Sequence, residues 1–90
     1  MEFTVIFHPA VKGDVAAISQ EIRARIKGVI TARLTSEPAK YGKPLRGTLA
    51  GYWKLRVGDW RVIYGIYGQE VVIFAIKHRS RVYDDVSERF

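Results

Sequence analysis

Cysteine is absent from this sequence of 90 residues, histidine is rare, and long apolar runs are missing. Without cysteine there is neither a disulfide framework nor a thiolate zinc site, and two isolated histidines, His8 and His78, cannot build a metal site by themselves. No apolar stretch approaches the roughly 20 residues needed to span a bilayer, and the N-terminus lacks signal-peptide features. We therefore expect a cytoplasmic protein that uses no metal and no cofactor and contacts no membrane.

Acidic residues are scarce in the second half of the chain, where the positive charge is concentrated. The chain carries 15 Lys and Arg residues against 9 Asp and Glu, a net charge of +6. Positions 40–81 hold nine basic and two acidic residues, whereas the rest holds six basic and seven acidic residues. Such an uneven excess favours a surface that binds a polyanion. A solvated basic face without a particular ligand is the alternative.

The first half of the chain predicts a strand followed by a helical hairpin. The strand covers residues 3–7, because a β-rich run ends there at His8 and Pro9. Ser19 is a candidate N-cap for the second helix, which should end before Pro38, since the residue preceding a proline avoids helical geometry. Each helix has an apolar stripe: Val11, Val15 and Ile18 in the first, and Ile22, Ile26, Val29, Ile30 and Leu34 in the second.

The second half predicts a loop and then three strands. Residues 36–51, rich in glycine and proline, should form a loop with room for one helical turn. Strands are expected at about 52–57, 60–67 and 71–77, separated by two short glycine turns, and the tail DDVSERF predicts no element. The whole is one α+β domain over residues 1–90, in which an antiparallel meander completes a four-stranded sheet with the N-terminal strand.

A two-residue turn at Gly58-Asp59 would sort the cations of the hairpin onto one face. Arg56 would then lie opposite Arg61, and Lys54 opposite Ile63. Like charges directly opposed on a sheet are destabilising, so this face calls for an anion such as phosphate. A three-residue turn would reverse the faces. Alternatively, one arginine turns away to an acidic residue such as Asp59 or Asp84. The opposite, apolar face would carry Trp53, Leu55, Val57, Trp60, Val62 and Tyr64.

The segment KHRSRVY, residues 77–83, follows an apolar run that predicts a central strand over 71–76. Groups at the end of such a strand are rigidly held yet reach the surface, which favours a site. Phosphodiester cleavage needs charge stabilisation and proton transfer, for which arginines and a lysine or His78 are suitable types. Tyr83 could stack on a base or donate its phenolic proton. Structural roles for His78 and for the Tyr83 ring are the alternatives.

The stretches LRGTLAGYWKLRVGDWRVIY and AIKHRSRVY resemble the RelE/ParE superfamily of toxins from type II toxin–antitoxin systems. The likeness extends over nearly the whole chain, and its specific part is residues 45–83. It implies a compact sheet with a helical hairpin and a partner antitoxin that covers the active groove. In the RelE branch it also implies metal-independent cleavage of messenger RNA in the ribosomal A site, through attack of a 2′-hydroxyl to give a cyclic phosphate.

Four residues match by position those that carry the chemistry in RelE-like toxins: Lys54, Arg61, Arg79 and Tyr83. The resemblance implies phosphate binding by the two arginines, a base or electrostatic role for the lysine, and RNA stacking by the tyrosine. His78 with Arg79 is similar to a His-Arg pair of the wider family. RelE itself has a second lysine where this chain has Tyr52. The cations expected to bind RNA phosphates are Lys43, Arg46, Arg56, Lys77 and Arg81, of which the last two could instead face solvent.

Two further functions fit the same residues. ParE-like gyrase inhibitors share the LRVGDWRVIY stretch but generally keep the 77–83 cluster less completely, so this cluster favours the nuclease. A degenerate member that only binds nucleic acid or a partner protein is the third possibility.

Overall fold

The computed structural model describes residues 2–82, and its elements follow the predicted order with three short additions. The additions are the helix α3, the strand β2 and a 3₁₀ turn, all within the predicted loop. In chain order the elements are β1 (Thr4–Phe7), α1 (Val11–Ala16), α2 (Gln20–Val29), a π-helical turn (Ile30–Leu34), α3 (Pro38–Tyr41), β2 (Lys43–Pro44), the 3₁₀ turn (Gly47–Leu49), β3 (Trp53–Val57), β4 (Trp60–Tyr67) and β5 (Glu70–His78).

The strands form one mixed sheet in the order β1-β5-β4-β3-β2. β1 runs parallel to β5, and all other neighbours are antiparallel, which confirms the α+β architecture with its three-stranded meander. The predicted number of strands was one too low. In β2, Lys43 pairs with Lys54 and Pro44 with Trp53. A strand of two residues has no detectable period, and Pro44, which lacks an N–H donor, lies at the sheet edge, where proline is tolerated.

A bulge in β5 shifts its pairing with β4. Tyr64 pairs with Ile73, but the preceding Ile63 pairs with Ala75. Phe74 is therefore the extra residue of this bulge. Because side chains alternate along a strand, every residue of β5 after this bulge lies on the opposite face from the one that an uninterrupted ladder would give it.

The helices confirm the predicted capping and the predicted stop before Pro38. Ser19 Oγ accepts a hydrogen bond from the backbone N–H of Ile22 at 3.4 Å, as an N-cap does. α2 then continues into the π-helical turn, which ends at Leu34. None of the helices within residues 2–82 combines the length and apolar character needed to cross a membrane.

The sheet separates two apolar clusters of unequal size. The larger cluster lies between the sheet and the helices, and the smaller one lies on the other face, where Leu45 and Tyr52 pack against it. Every residue predicted for the apolar face of the hairpin contributes to the larger cluster, with Trp53 and Trp60 half-buried at its margin. The buried members of the smaller cluster are Ile63, Ala75 and Val82.

Tyr64 ties the short helix α3 to the sheet. Its hydroxyl is buried and donates a hydrogen bond to the Pro38 carbonyl oxygen at 2.6 Å. Gly42 makes this approach possible, because a Cβ atom there would collide with the Tyr64 hydroxyl. The segment from Pro38 to Gly42 is thus fixed against β4, and it leads directly into β2.

We expect Tyr64→Phe to lower the free energy of unfolding by about 1 to 2 kcal/mol near neutral pH, because a buried carbonyl loses its donor. Burial raises the pKa of Tyr64 to about 12, whereas unfolding returns it to about 10. Wild-type stability should therefore fall as pH rises from about 10 through 12, and the variant lacks this contribution. Urea unfolding at about pH 7 and pH 11 measures both proteins. An unchanged difference at the higher pH would contradict this role.

Candidate functional site

The turn between β3 and β4 assembles a row of basic residues. Gly58 has a φ of 59°, a left-handed conformation that costs glycine nothing sterically, and the turn has the predicted two residues. Arg56 lies opposite Arg61, which confirms the predicted pairing. Arg61 in turn lies opposite Lys77 of β5. Three cations from three adjacent strands therefore follow one another across the face of the sheet that points away from the helices.

Four basic residues of this face line a depression, named here the cationic cavity. Its volume is about 190 Å³, and no acidic residue within positions 2–82 lines it. Lys43 and Lys54 are directly opposed on the ladder, as are the two arginines. Like charges in this arrangement destabilise a sheet, so a bound anion would relieve their repulsion. The cavity is lined by Tyr41, Lys43, Lys54, Arg56 and Arg61.

The two arginines of the cavity differ in how they are held. Arg61 donates from Nη1 to the carbonyl oxygens of Gly58 and Trp60, both at 2.9 Å. These bonds fix the guanidinium at the turn and leave its other N–H groups for a ligand. Arg56 is exposed and makes no ion pair within the described part of the chain. It therefore does not turn to Asp59, which was one of the alternatives.

Arg79 lies at the tip of the β3–β4 hairpin, two residues beyond the Arg61–Lys77 pair. Its backbone N–H donates to the Asp59 carbonyl oxygen at 2.8 Å, which extends the β4–β5 pairing past the last ladder pair. Its Nε lies 3.9 Å from Asp59 Oδ1, with side-chain exposures of 62% and 67%. An exposed pair at this distance contributes little to stability, so Asp59 does not hold the guanidinium firmly.

His78 lies on the other face of the sheet, because the bulge at Phe74 places it opposite Trp60. The two rings contact edge to face, with centroids 5.4 Å apart. His78 Nδ1 is also 2.9 Å from Ser80 Oγ. These contacts do not bring the imidazole to the cationic cavity, so its role as a proton shuttle stays a prediction without geometric support.

Lys77 belongs to the row of cations formed with Arg56 and Arg61, named here the cationic row. Its side chain pairs with a buried carboxylate that the sequence reasoning missed. Its Nζ lies 3.0 Å from Oδ1 of Asp14, a residue of α1 whose side chain is only 2% exposed. The other oxygen, Oδ2, accepts the backbone N–H of Ile76 at 3.0 Å. Asp14 thereby anchors the last part of β5, just before Arg79.

The place of Asp14 follows from the length of β1. That strand ends at Phe7, opposite Ile73, so β5 has no strand neighbour on this side beyond that point. Asp14 supplies the acceptor that a longer β1 would have offered to Ile76. A signal was present in the sequence: Asp14 follows Val11 by three residues and so shares the apolar face of α1, where a charge needs a partner.

The remaining predicted residues lie around the cavity or outside the described part of the chain. Arg46 is exposed in the loop after β2 and does not line the cavity. Arg81 is exposed, and its backbone N–H donates to the His78 carbonyl oxygen at 2.9 Å. Tyr83 and Asp84 lie outside the described residues. The roles of Arg46, Arg81 and Tyr83 in RNA binding stay predictions.

A family model described as the ParE toxin of the type II toxin–antitoxin system parDE matches residues 5–83. The chain belongs to this toxin family. Among curated proteins it is similar to the toxin RelG of Mycobacterium tuberculosis, with 34% identity over 85 residues, covering 92% of this chain and 98% of RelG. It is also similar to the toxin RelE of the same organism, with 35% identity over 72 residues, covering 78% of this chain and 74% of RelE.

A solved structure supports the same assignment for this toxin. A chain of the toxin–antitoxin complex RelBE2 from M. tuberculosis superposes with a TM-score of 0.83 at 33% sequence identity. The match covers 88% of this chain and 100% of that chain. The protein is thus a toxin of the RelE/ParE superfamily, from its RelE-like branch, and its mixed sheet with a helical hairpin is the fold of that group.

We expect Asp14→Ala to lower the free energy of unfolding by about 2 to 4 kcal/mol, because it leaves both the Ile76 N–H and the Lys77 ammonium without their acceptor. Asp14→Asn should cost less, since an amide oxygen can still accept from Ile76. Urea unfolding measures these changes. Asp59→Ala is the matched control, because its exposed pair should contribute less than about 1 kcal/mol. Equal effects at positions 14 and 59 would contradict the anchoring role.

Proposed function

We propose that this toxin cleaves messenger RNA on the ribosome and that the cationic cavity holds the scissile phosphate. The observation that carries the proposal is the convergence of Lys43, Lys54, Arg56 and Arg61 from three adjacent strands on one cavity with no acidic lining residue in the described chain. Such a site binds a group with concentrated negative charge and selects against neutral ligands. The backbone of RNA provides such groups at every nucleotide.

The proposed reaction is an internal transesterification. The 2′-oxygen forms a bond to phosphorus, the bond from phosphorus to the 5′-oxygen breaks, and a cyclic phosphate and a 5′-hydroxyl result. One proton leaves the 2′-hydroxyl and one reaches the departing 5′-oxygen. Positive charge next to the phosphate stabilises the transition state, in which the non-bridging oxygens carry more charge than in the substrate.

The residues of the cavity are assigned to these tasks by position. Arg61 is held at the turn and directs its remaining N–H groups as a fixed donor to the phosphate. Arg79 joins it from the tip after releasing Asp59. Lys54 acts as base or as electrostatic aid within the cavity. This chemistry is carried by protein side chains and calls on no metal ion or cofactor. His78 receives no proton-transfer role in this proposal, because its ring contacts Trp60.

We also propose that a cognate antitoxin binds this toxin and covers the cationic cavity. The similar chain of known structure was solved as part of a toxin–antitoxin complex. An acidic segment of a partner would relieve the repulsion among the cations, as RNA would. Opposite charges across an interface also speed association. Antitoxin and RNA would then compete for one surface.

Arg61→Ala should reduce cleavage about 100-fold, because removing one preorganised donor to a developing charge costs on that order. Arg79→Ala should reduce it about tenfold or more, for the same reason at a more exposed position. Mapping of messenger RNA ends in a translating extract measures the effect, and growth arrest on expression should be relieved in parallel. Arg23→Ala, an exposed arginine on α2 outside the cavity, serves as the matched control. Full activity of both Arg61→Ala and Arg79→Ala would refute the assignment.

The same experiment separates the alternatives. The matching family model is described as the ParE toxin. A ParE-like gyrase inhibitor would leave messenger RNA intact while gyrase-linked DNA breaks accumulate. A member that only binds nucleic acid or its partner would produce neither result.

A further inference from the structure

Tyr41 places an aromatic ring in an otherwise basic cavity. It is the last residue of α3, it is 41% exposed, and it lines the cationic cavity. If the β2–β3 pairing of Lys43 with Lys54 is extended by two residues, position 41 comes level with Arg56. The ring therefore continues the cationic row at its outer end.

Two cations restrain the Tyr41 ring from the side of the helices. The Arg33 guanidinium carbon lies 5.3 Å from the ring centroid, and Lys40 Nζ lies 5.7 Å from it. Both distances are within the range of cation–π attraction. Lys40 Nζ is itself 3.4 Å from a carboxylate oxygen of Glu37. The ring is thus exposed but oriented.

The backbone that carries Tyr41 is fixed on both sides of it. Three residues earlier, the Pro38 carbonyl oxygen accepts the buried hydroxyl of Tyr64. Two residues later, Lys43 pairs with Lys54 on the sheet. A ring on such a segment keeps its position relative to the cations of β3, which is what a preorganised binding group requires.

We propose that Tyr41 stacks on the base of a nucleotide whose phosphate lies among Lys54, Arg56 and Arg61, so that the cavity recognises unpaired RNA. This inference rests on the proposed function and deepens it. Cations bind the phosphates of single strands and duplexes alike, whereas an aromatic ring can contact only a base that has left its own stack. Tyr41 would therefore supply the preference for single strands that the lysines and arginines cannot supply.

Binding of the intact toxin to a short RNA tests the stacking directly. The probe is a single-stranded oligoribonucleotide with 2′-O-methyl groups, which prevent cleavage, and with one 2-aminopurine base whose fluorescence is quenched on stacking. The position of the 2-aminopurine is varied along the strand, and a duplex of the same length is the comparison ligand. The variants are Tyr41→Leu, Tyr41→Phe and Arg56→Gln. Tyr67→Leu is the matched control, because Tyr67 is 49% exposed and lies six residues along β4 from Arg61, about 20 Å away.

Tyr41→Leu should raise the Kd for the single strand about tenfold and abolish the quenching at one position, while Tyr41→Phe and Tyr67→Leu remain within about twofold of wild type. The duplex Kd and the salt dependence should stay unchanged in Tyr41→Leu. Arg56→Gln should instead reduce the salt slope by about one, because one phosphate contact is lost. Absent quenching in saturated wild type, or equal losses on single strand and duplex, would overturn the proposal.

The cleavage assay keeps this inference apart from the proposed function. If quenching depends on Tyr41 but messenger RNA stays intact in translating extracts, the stacking holds and the nuclease function fails. If wild type cleaves messenger RNA, and Tyr41→Leu equals wild type in both RNA binding and cleavage, the nuclease function holds and the stacking fails.

Discussion

The two-residue turn at Gly58 is the constraint on which both the core and the basic surface depend. It decides which face of the sheet each side chain of β3 and β4 occupies, so Leu55 and Val62 pack under the helices while Arg56 and Arg61 face away. One additional turn residue would exchange the two sets and bury the arginines. The apolar core therefore enforces the basic surface, because any register that exposed the cations differently would also expose the hydrophobic residues. Glycine at the first turn position, with its positive φ, allows the turn to be this short.

The basic surface is left with an incomplete balance of charge. Within residues 2–82, Asp14 neutralises Lys77 and Asp59 lies near Arg79, but the lining of the cationic cavity has no carboxylate. Opposed cations lower the stability of a sheet, so this arrangement of side chains has some cost in stability. In the proposed function, RNA and antitoxin both supply the missing negative charge. Asp14 shows the opposite use of charge, since a buried carboxylate there completes the edge of β5 and holds the strand that leads to Arg79.

The parts of the molecule that the sequence predicted are those that local rules determine. The pairing of Arg56 with Arg61 follows from one turn, and the cap at Ser19 follows from one side chain and the helix after it. The parts that it missed depend on distant segments. β2 forms because Lys43 pairs with Lys54 of β3. The ring of Tyr41 lies at the cavity because Pro38 is hydrogen-bonded to Tyr64, 26 positions away in the sequence. Such contacts have no period or spacing along the chain, although a carboxylate on the apolar stripe of α1 did indicate a buried partner.

The bulge at Phe74 determines on which face of the sheet the following side chains lie. It is a single extra residue in β5, yet it places Lys77 opposite Arg61 while the His78 ring contacts Trp60. An uninterrupted ladder of the same sequence would place Ile76 opposite Arg61 and Lys77 opposite Trp60, and would put the His78 side chain on the face that carries Arg61. Within one fold, a bulge can thus change which side chains of a motif share a face of the sheet, and a comparison of motifs alone would not detect the change.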